Sequence, residues 1–161
     1  LEPARYDPAT YLNDPKLLQP LAEAGTVERA AFAERLTGTM KKHIAYVVPT
    51  DAGDPVARLD DAAVPVMPGH DPAAMAERLA GTTPKLTVTL DGEKRGFPLP
   101  RLSAPILRRV DGRQTVGGIV AAMCAQDSGL DPETARRQFE QLYGVLNGLN
   151  LMLLARPLSQ S

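Results

Sequence analysis

The stretch from Leu102 to Arg156 carries the most regular hydrophobic spacing in the chain, and this spacing most constrains the fold. Apolar residues recur there three and four positions apart on two segments, as on helices with one buried face. They are Val116, Ile119, Val120 and Met123 on the first segment, and Phe139, Leu142, Tyr143 and Leu146 on the second. The spacing predicts two helices that pack against each other.

Local signals predict where these helices begin and end. Asp131-Pro132 predicts the start of the second helix, because the aspartate can accept from free N–H groups and proline loses no bonded donor at the first position. Gly148 predicts its end in a left-handed conformation. A shorter helix capped by Ser103 comes before both, and residues 149–154 predict a buried strand. Three short helices and a strand indicate a winged-helix-like unit.

The remaining segments complete the predicted fold. Residues 41–48 change to the two-residue period of a strand, and residues 50–71 are rich in proline, glycine and aspartate, which predicts a loop or linker. Residues 85–99 predict a hairpin with a tight Asp-Gly turn. We therefore expect a mostly helical α+β fold. A helical lobe with one strand and one loop would span residues 1–84, and a winged-helix-like domain with a small antiparallel sheet would span residues 85–161.

Composition excludes several classes of protein. The chain has 161 residues, a formal net charge of −1 and 43% hydrophobic residues, as is usual for a globular protein with a buried core. A charge so close to zero creates no field that attracts nucleic acid or membranes. The single cysteine, Cys124, excludes an internal disulfide and fits the cytoplasm. No apolar run approaches the roughly 20 residues that cross a bilayer.

The sequence contains no recognisable motif of enzyme chemistry. It lacks GxGxxG after a strand, GxxxxGK[ST], HExxH and GxSxG. Gly117-Gly118 lies inside a predicted helix and indicates close packing against a neighbour rather than a phosphate loop. The two histidines, His43 and His70, have no partners at metal-ligand spacing. We therefore predict no catalytic residue, no metal and no cofactor in this chain.

The densest group of polar side chains is Lys41, Lys42, His43 and Tyr46. It offers two ammonium groups, an imidazole that titrates near neutrality and a phenol. These residues are a candidate contact to an anionic substrate or to another domain. The alternative is a solvated helix end at which the cations offset the helix dipole.

Five arginines form a candidate partner-binding surface: Arg108, Arg109, Arg113, Arg136 and Arg137. Helix-turn-helix units often place a helix in a DNA groove. Phosphate binding usually needs a denser basic face than these residues provide. We therefore expect a protein or peptide partner, and a DNA-binding regulator is the alternative.

Two segments carry a resemblance to a known family, EPARYDPATYLNDPKLL at residues 2–18 and ERAAFAERLTGTMKKHIAYVV at residues 28–48. They resemble the region that follows the catalytic domain in a group of bacterial S-adenosylmethionine (SAM)-dependent methyltransferases. The resemblance implies a non-catalytic C-terminal region that contributes substrate recognition or regulation, with a methyltransferase domain in cis. The glycine-rich SAM motif of that family has no counterpart here, so SAM is implied only for the parent protein.

A second resemblance covers the hairpin 85–99 with ILRRVDGRQTVGGIV and FEQLYGVLNGLNLML. This pattern is similar to that of PqqD-like peptide-binding domains, in which a leader peptide adds along a strand edge and contacts the last helix. It implies a peptide surface at the edge of residues 85–90 beside the helix 131–148. It also implies an alternative function, a peptide- or protein-binding module without enzymatic activity.

Overall fold

Helices dominate the computed structural model, which describes residues 3–38, 40, 49, 57–81 and 83–155 and is about 47% helical. The α-helices are α1 (Pro15–Ala22), α2 (Thr26–Thr37), α3 (Pro72–Leu79), α4 (Ser103–Leu107), α5 (Val116–Gln126) and α6 (Pro132–Gly148). The strands are β1 (Val64–Val66), β2 (Lys85–Leu90), β3 (Glu93–Pro98) and β4 (Leu153–Ala155). The predicted mostly helical α+β fold is confirmed. None of these helices is long and apolar enough to cross a membrane.

Three helices begin at Asp-Pro pairs, as their sequences predict. The side chains of Asp14, Asp71 and Asp131 each accept a hydrogen bond from the backbone of the first helical turn. Asp131 accepts from the N–H of Thr134 at 2.9 Å, and this bond lowers the pKa of the Asp131 carboxyl. A charged acceptor at this position satisfies N–H groups that have no partner within the helix.

The hydrophobic core is centred on the packing of α4, α5 and α6. Phe139 and Leu142 of α6 are 1% and 0% exposed, and Ile119 of α5 is fully buried. Met75 and Leu79 of α3 belong to the same core cluster, because α3 packs on α4. The core therefore includes residues from both sides of position 84, the predicted boundary between lobes.

The four strands form two separate two-stranded antiparallel sheets. Strands β2 and β3 form the predicted hairpin, whose turn residues Asp91 and Gly92 have φ of 51° and 91°. These positive angles are typical of the Asp-Gly turn that matches strand twist. Strand β1 pairs with β4, with Val64 opposite Ala155. The prediction that residues 50–71 form only a loop is wrong at β1, because its long-range pairing has no local signal. The predicted strand 41–48 lies outside the described residues.

Three predicted helix ends are displaced. Helix α6 continues through Gly148, and the left-handed residue is Asn150, with φ of 55°. The Gly148 carbonyl accepts a hydrogen bond from the N–H of Ala4 at 2.8 Å, so the N-terminal segment contacts this end of the helix. The cap of α2 is Gly25 rather than Thr26.

The third displaced end is that of α4, whose cap is Leu102 rather than Ser103. Ser103 is buried, and its hydroxyl donates to the Pro100 carbonyl at 2.6 Å. The hydroxyl is therefore used in the preceding turn and does not cap the helix.

The backbone of the segment before β1 supplies hydrogen-bond acceptors to the first N–H groups of helix α5. The N–H groups of Val116 and Gly117 donate to the carbonyls of Ala63 at 2.8 Å and Asp61 at 3.0 Å. A Cβ on Gly117 would lie 3.0 Å from the Cβ of Asp61. The predicted close packing at this glycine is therefore confirmed.

Truncating Phe139 or Leu142 to alanine is expected to lower the free energy of unfolding by about 2–5 kcal/mol each, because each leaves a cavity among α4, α5 and α6. Gln141→Ala is the control, because Gln141 is exposed on the same helix and surface changes usually stay within about 0.5 kcal/mol. Urea unfolding measures the free energy of unfolding of all three variants. Core variants that unfold like the control would contradict the packing.

Two glycine substitutions are expected to have opposite effects. Gly144→Ala is expected to raise stability by about 0.5–1 kcal/mol, because glycine is costly inside a helix and a Cβ there meets no atom within 4 Å beyond the helix's own backbone. Gly117→Ala is expected to lower stability, because its Cβ would collide with Asp61. Thermal unfolding of both variants tests this, and an equal gain at the two positions would contradict it.

Candidate functional site

A groove of about 340 Å³ lies between α4, the end of α5 and the turn that precedes α6. We call it the α4 groove. Its lining comprises Leu102, Pro105, Arg108, Arg109, Met123, Gln126, Asp127 and Leu130. Two of the five arginines predicted as a partner-binding surface therefore meet at one concave site.

The α4 groove has an apolar floor. Met123 is 4% exposed, and Leu102 and Leu130 are half-buried against the hydrophobic core. Gln138 of α6 fixes one end of the floor, because its side-chain oxygen accepts from the N–H of Leu102 at 3.2 Å. The floor thus consists of side chains held in place by three helices.

Arg109 is held in place at the side of the groove. One of its terminal nitrogens donates to the Pro105 carbonyl at 2.8 Å, and the other donates to the side-chain oxygen of Gln126. These bonds connect α4 to the end of α5. Both acceptors are neutral, so these bonds do not balance the positive charge of the guanidinium, but they restrict its movement.

Arg108 differs from Arg109 because its side chain is exposed at the mouth of the groove. Among the described residues, no hydrogen bond or ion pair holds its guanidinium. Asp127, the acidic residue of the lining, accepts from the N–H of Gly129 at 3.0 Å. Two cations and one carboxylate leave the rim with a net positive charge. A peptide with an apolar side chain followed by a carboxylate would complement this groove, because the side chain matches the apolar floor and the carboxylate matches the positive rim.

The other three arginines of the predicted surface lie elsewhere. Arg113 is exposed in the turn between α4 and α5, which Asp111 stabilises by accepting from the N–H groups of Gln114 and Arg113 at 2.8 Å each. These hydrogen bonds lower the pKa of the Asp111 carboxyl. Arg137 is exposed on α6 and donates to the hydroxyl of Thr134 at 3.2 Å.

Arg136 has a structural role. It forms ion pairs with Asp61 and, at 2.8 Å, with Glu140, and it donates to the Leu59 carbonyl at 3.0 Å. The guanidinium joins the segment before β1 to α6. Its charge is balanced by two carboxylates, so Arg136 offers little to an anionic partner.

The start of α5 does not offer a phosphate site. The N–H groups of Val116 and Gly117 already bond to backbone carbonyls, and that of Gly118 bonds to the hydroxyl of Thr115 at 3.1 Å. Anion binding at a helix N-terminus needs free N–H groups. Gly117-Gly118 is therefore a packing feature.

The other predicted polar group, Lys41, Lys42, His43 and Tyr46, lies outside the described residues. Within the described ranges, no three histidine, cysteine or acidic side chains lie close enough to hold a metal ion. Cys124 is a free, partly buried thiol.

Sequence reasoning identified the arginines but missed the apolar floor. Leu102 and Leu130 stand just outside the periodic segments, so no helical spacing marks them. A hydrophobic residue directly before a helix cap is a weak signal of such packing, and Leu130 before Asp131 matches it.

Comparisons of this chain with protein-family models, with curated proteins and with solved structures found no match.

Proposed function

We propose that this chain is a non-catalytic, cytoplasmic accessory region of a SAM-dependent methyltransferase, and that its α4 groove recognises a segment of the protein substrate. The observation that carries the recognition role is the apolar floor of the groove beside the exposed Arg108 guanidinium. The resemblance of residues 2–18 and 28–48 to methyltransferase C-terminal regions supplies the enzyme context.

The shape and charge of the groove define its ligand. A volume of about 340 Å³ is at the small end of small-molecule sites, so it suits one large side chain and its flanking backbone. The floor favours an aliphatic or aromatic residue, and Arg108 favours an adjacent aspartate or glutamate. We therefore assign a short peptide segment with an apolar anchor and a neighbouring acidic residue.

A second surface supports a domain partner in cis. Helix α2 has a single buried residue, Ala33, whereas Phe32 and Leu36, which are one helical turn apart, are 39% and 42% exposed. Apolar side chains grouped on one helix are typical of surfaces that another domain covers. In this proposal the catalytic methyltransferase domain covers α2.

The α4 groove can be tested with a phage-displayed library of short peptides selected on the purified chain. Selected peptides are expected to share an apolar residue next to an acidic one. Arg108→Glu is expected to weaken their binding roughly tenfold or more, because a charge-assisted bond becomes a repulsion. Arg137→Glu is the matched control, an exposed arginine outside the groove. Binding that depends equally on both arginines, or on neither, would contradict the assignment.

The isolated chain is expected not to bind SAM. Both sheets of the described chain are antiparallel pairs, whereas nucleotide sites of the Rossmann type need a parallel βαβ unit with a glycine-rich turn. Titration calorimetry measures this directly, and micromolar affinity would contradict the accessory role. The reading frame ahead of Leu1 provides a further check, because it should encode a strand, a glycine-rich turn and a helix.

One observation favours the second candidate, a PqqD-like peptide-binding module without an enzyme. Among the described residues the β2–β3 hairpin pairs with no third strand, so a peptide could add along β2. Amide shifts in NMR spectra separate the two candidates. A selected peptide that perturbs residues 85–90 supports edge addition, whereas one that perturbs Leu102, Met123 and Leu130 supports the α4 groove.

A further inference from the structure

The rim of the α4 groove carries charges of both signs on two different helices. Arg108 is the residue at which α4 ends, and Asp127 is the residue at which α5 ends. Both residues line the groove and both are exposed. Because the groove lies between these two helices, a bound segment meets a cation on its α4 side and a carboxylate on its α5 side.

The Asp127 carboxylate has acceptor positions that no other group uses. Its Oδ1 accepts from the N–H of Gly129 at 3.0 Å, which holds the carboxylate in place. In the part of the chain that the structure describes, Asp127 forms no ion pair with Arg108, Arg109 or any other cation. A carboxylate has about four acceptor positions. The remaining ones are within reach of a ligand, because the residue is exposed.

The fixed cation beside this end of α5 does not neutralise Asp127. The Arg109 guanidinium donates to the Pro105 carbonyl and to the side chain of Gln126, the residue directly before Asp127. The backbone adds negative charge here, because the last carbonyls of a helix carry a partial negative charge and the last turn of α5 has no basic residue. Asp127 and the end of α5 therefore favour a cationic side chain.

We propose that the α4 groove recognises a segment whose apolar anchor has charges of opposite sign around it, an acidic residue that pairs with Arg108 and a basic residue that pairs with Asp127. This inference rests on the proposed function, because it concerns the same groove and the same class of ligand. It makes Asp127 a residue that determines specificity. A segment with acidic residues on both sides of its anchor is repelled by Asp127, so the groove discriminates against it.

The test starts from peptides that are selected on the purified chain from a phage-displayed random library. The selected sequences are expected to carry a lysine or arginine at a fixed spacing from the apolar residue and its acidic neighbour. One of them is synthesised with its basic residue retained, replaced by alanine or replaced by glutamate, and calorimetric titration measures the dissociation constant of each form. The glutamate form is expected to bind about tenfold more weakly than the basic form, because an attraction becomes a repulsion.

Asp127→Asn assigns the effect to one side chain. Asparagine keeps a side-chain oxygen that can accept from Gly129 but has no charge, so the turn is retained. This variant is expected to bind the basic form about threefold more weakly than the parent does, as for the loss of an exposed ion pair, and to bind the alanine form as the parent does. Glu77→Gln is the matched control, because Glu77 is an exposed carboxylate on α3 that does not line the groove.

The outcomes separate this inference from the proposed function. Peptide binding that depends on Arg108 but shows no preference for a basic residue overturns the inference and leaves the proposed function standing. An equal loss of affinity for the basic and alanine forms in Asp127→Asn also overturns it, because the carboxylate then acts only through the turn. A selection that yields no peptide dependent on Arg108 overturns both.

Discussion

The contact of the segment before β1 with the starts of α5 and α6 determines much of this structure. Two of its carbonyls accept from the first N–H groups of α5, and Arg136 joins the same segment to α6. Helix N–H groups must find acceptors when they are buried. The segment supplies them, and it leads directly into β1, which pairs with β4, and then into α3, which packs on α4. The C-terminal helices therefore share one core with residues 63–79.

The arginines of this chain show how surroundings assign different roles to one residue type. Arg136 is paired with two carboxylates, and Arg109 is bonded to Pro105 and Gln126. Both stabilise the contact between elements. Arg108, the residue directly before Arg109, is exposed and has no partner among the described residues. A charge that is not used internally can attract an acidic partner, and rigid neighbours reduce the entropy that binding costs. This contrast is the basis of our proposal for the α4 groove.

Sequence reasoning succeeded where the signal is local. Three kinds of signal were used: the Asp-Pro pairs, the three-and-four spacing of α5 and α6, and the Asp-Gly turn. Each of them involves residues that are close together in sequence, so the elements that they mark were predictable. It failed at β1, because its partner β4 lies far away in sequence, at the C-terminal end of the described chain. It also failed at Gly148, where the N-terminal segment contacts the helix and the left-handed position moves to Asn150.

The sequence by itself determined the helices, the β2–β3 hairpin, the buried faces of the helices and the presence of arginines near α4. Those features follow from backbone preferences and from side-chain periodicity, which are properties of short segments. Only the tertiary structure decided which arginine is exposed, which hydrophobic residues form the floor of the groove, and how Asp91 becomes buried beside Arg5. These features depend on residues far apart in the chain, and burial and pairing of charge exist only after those residues have packed together.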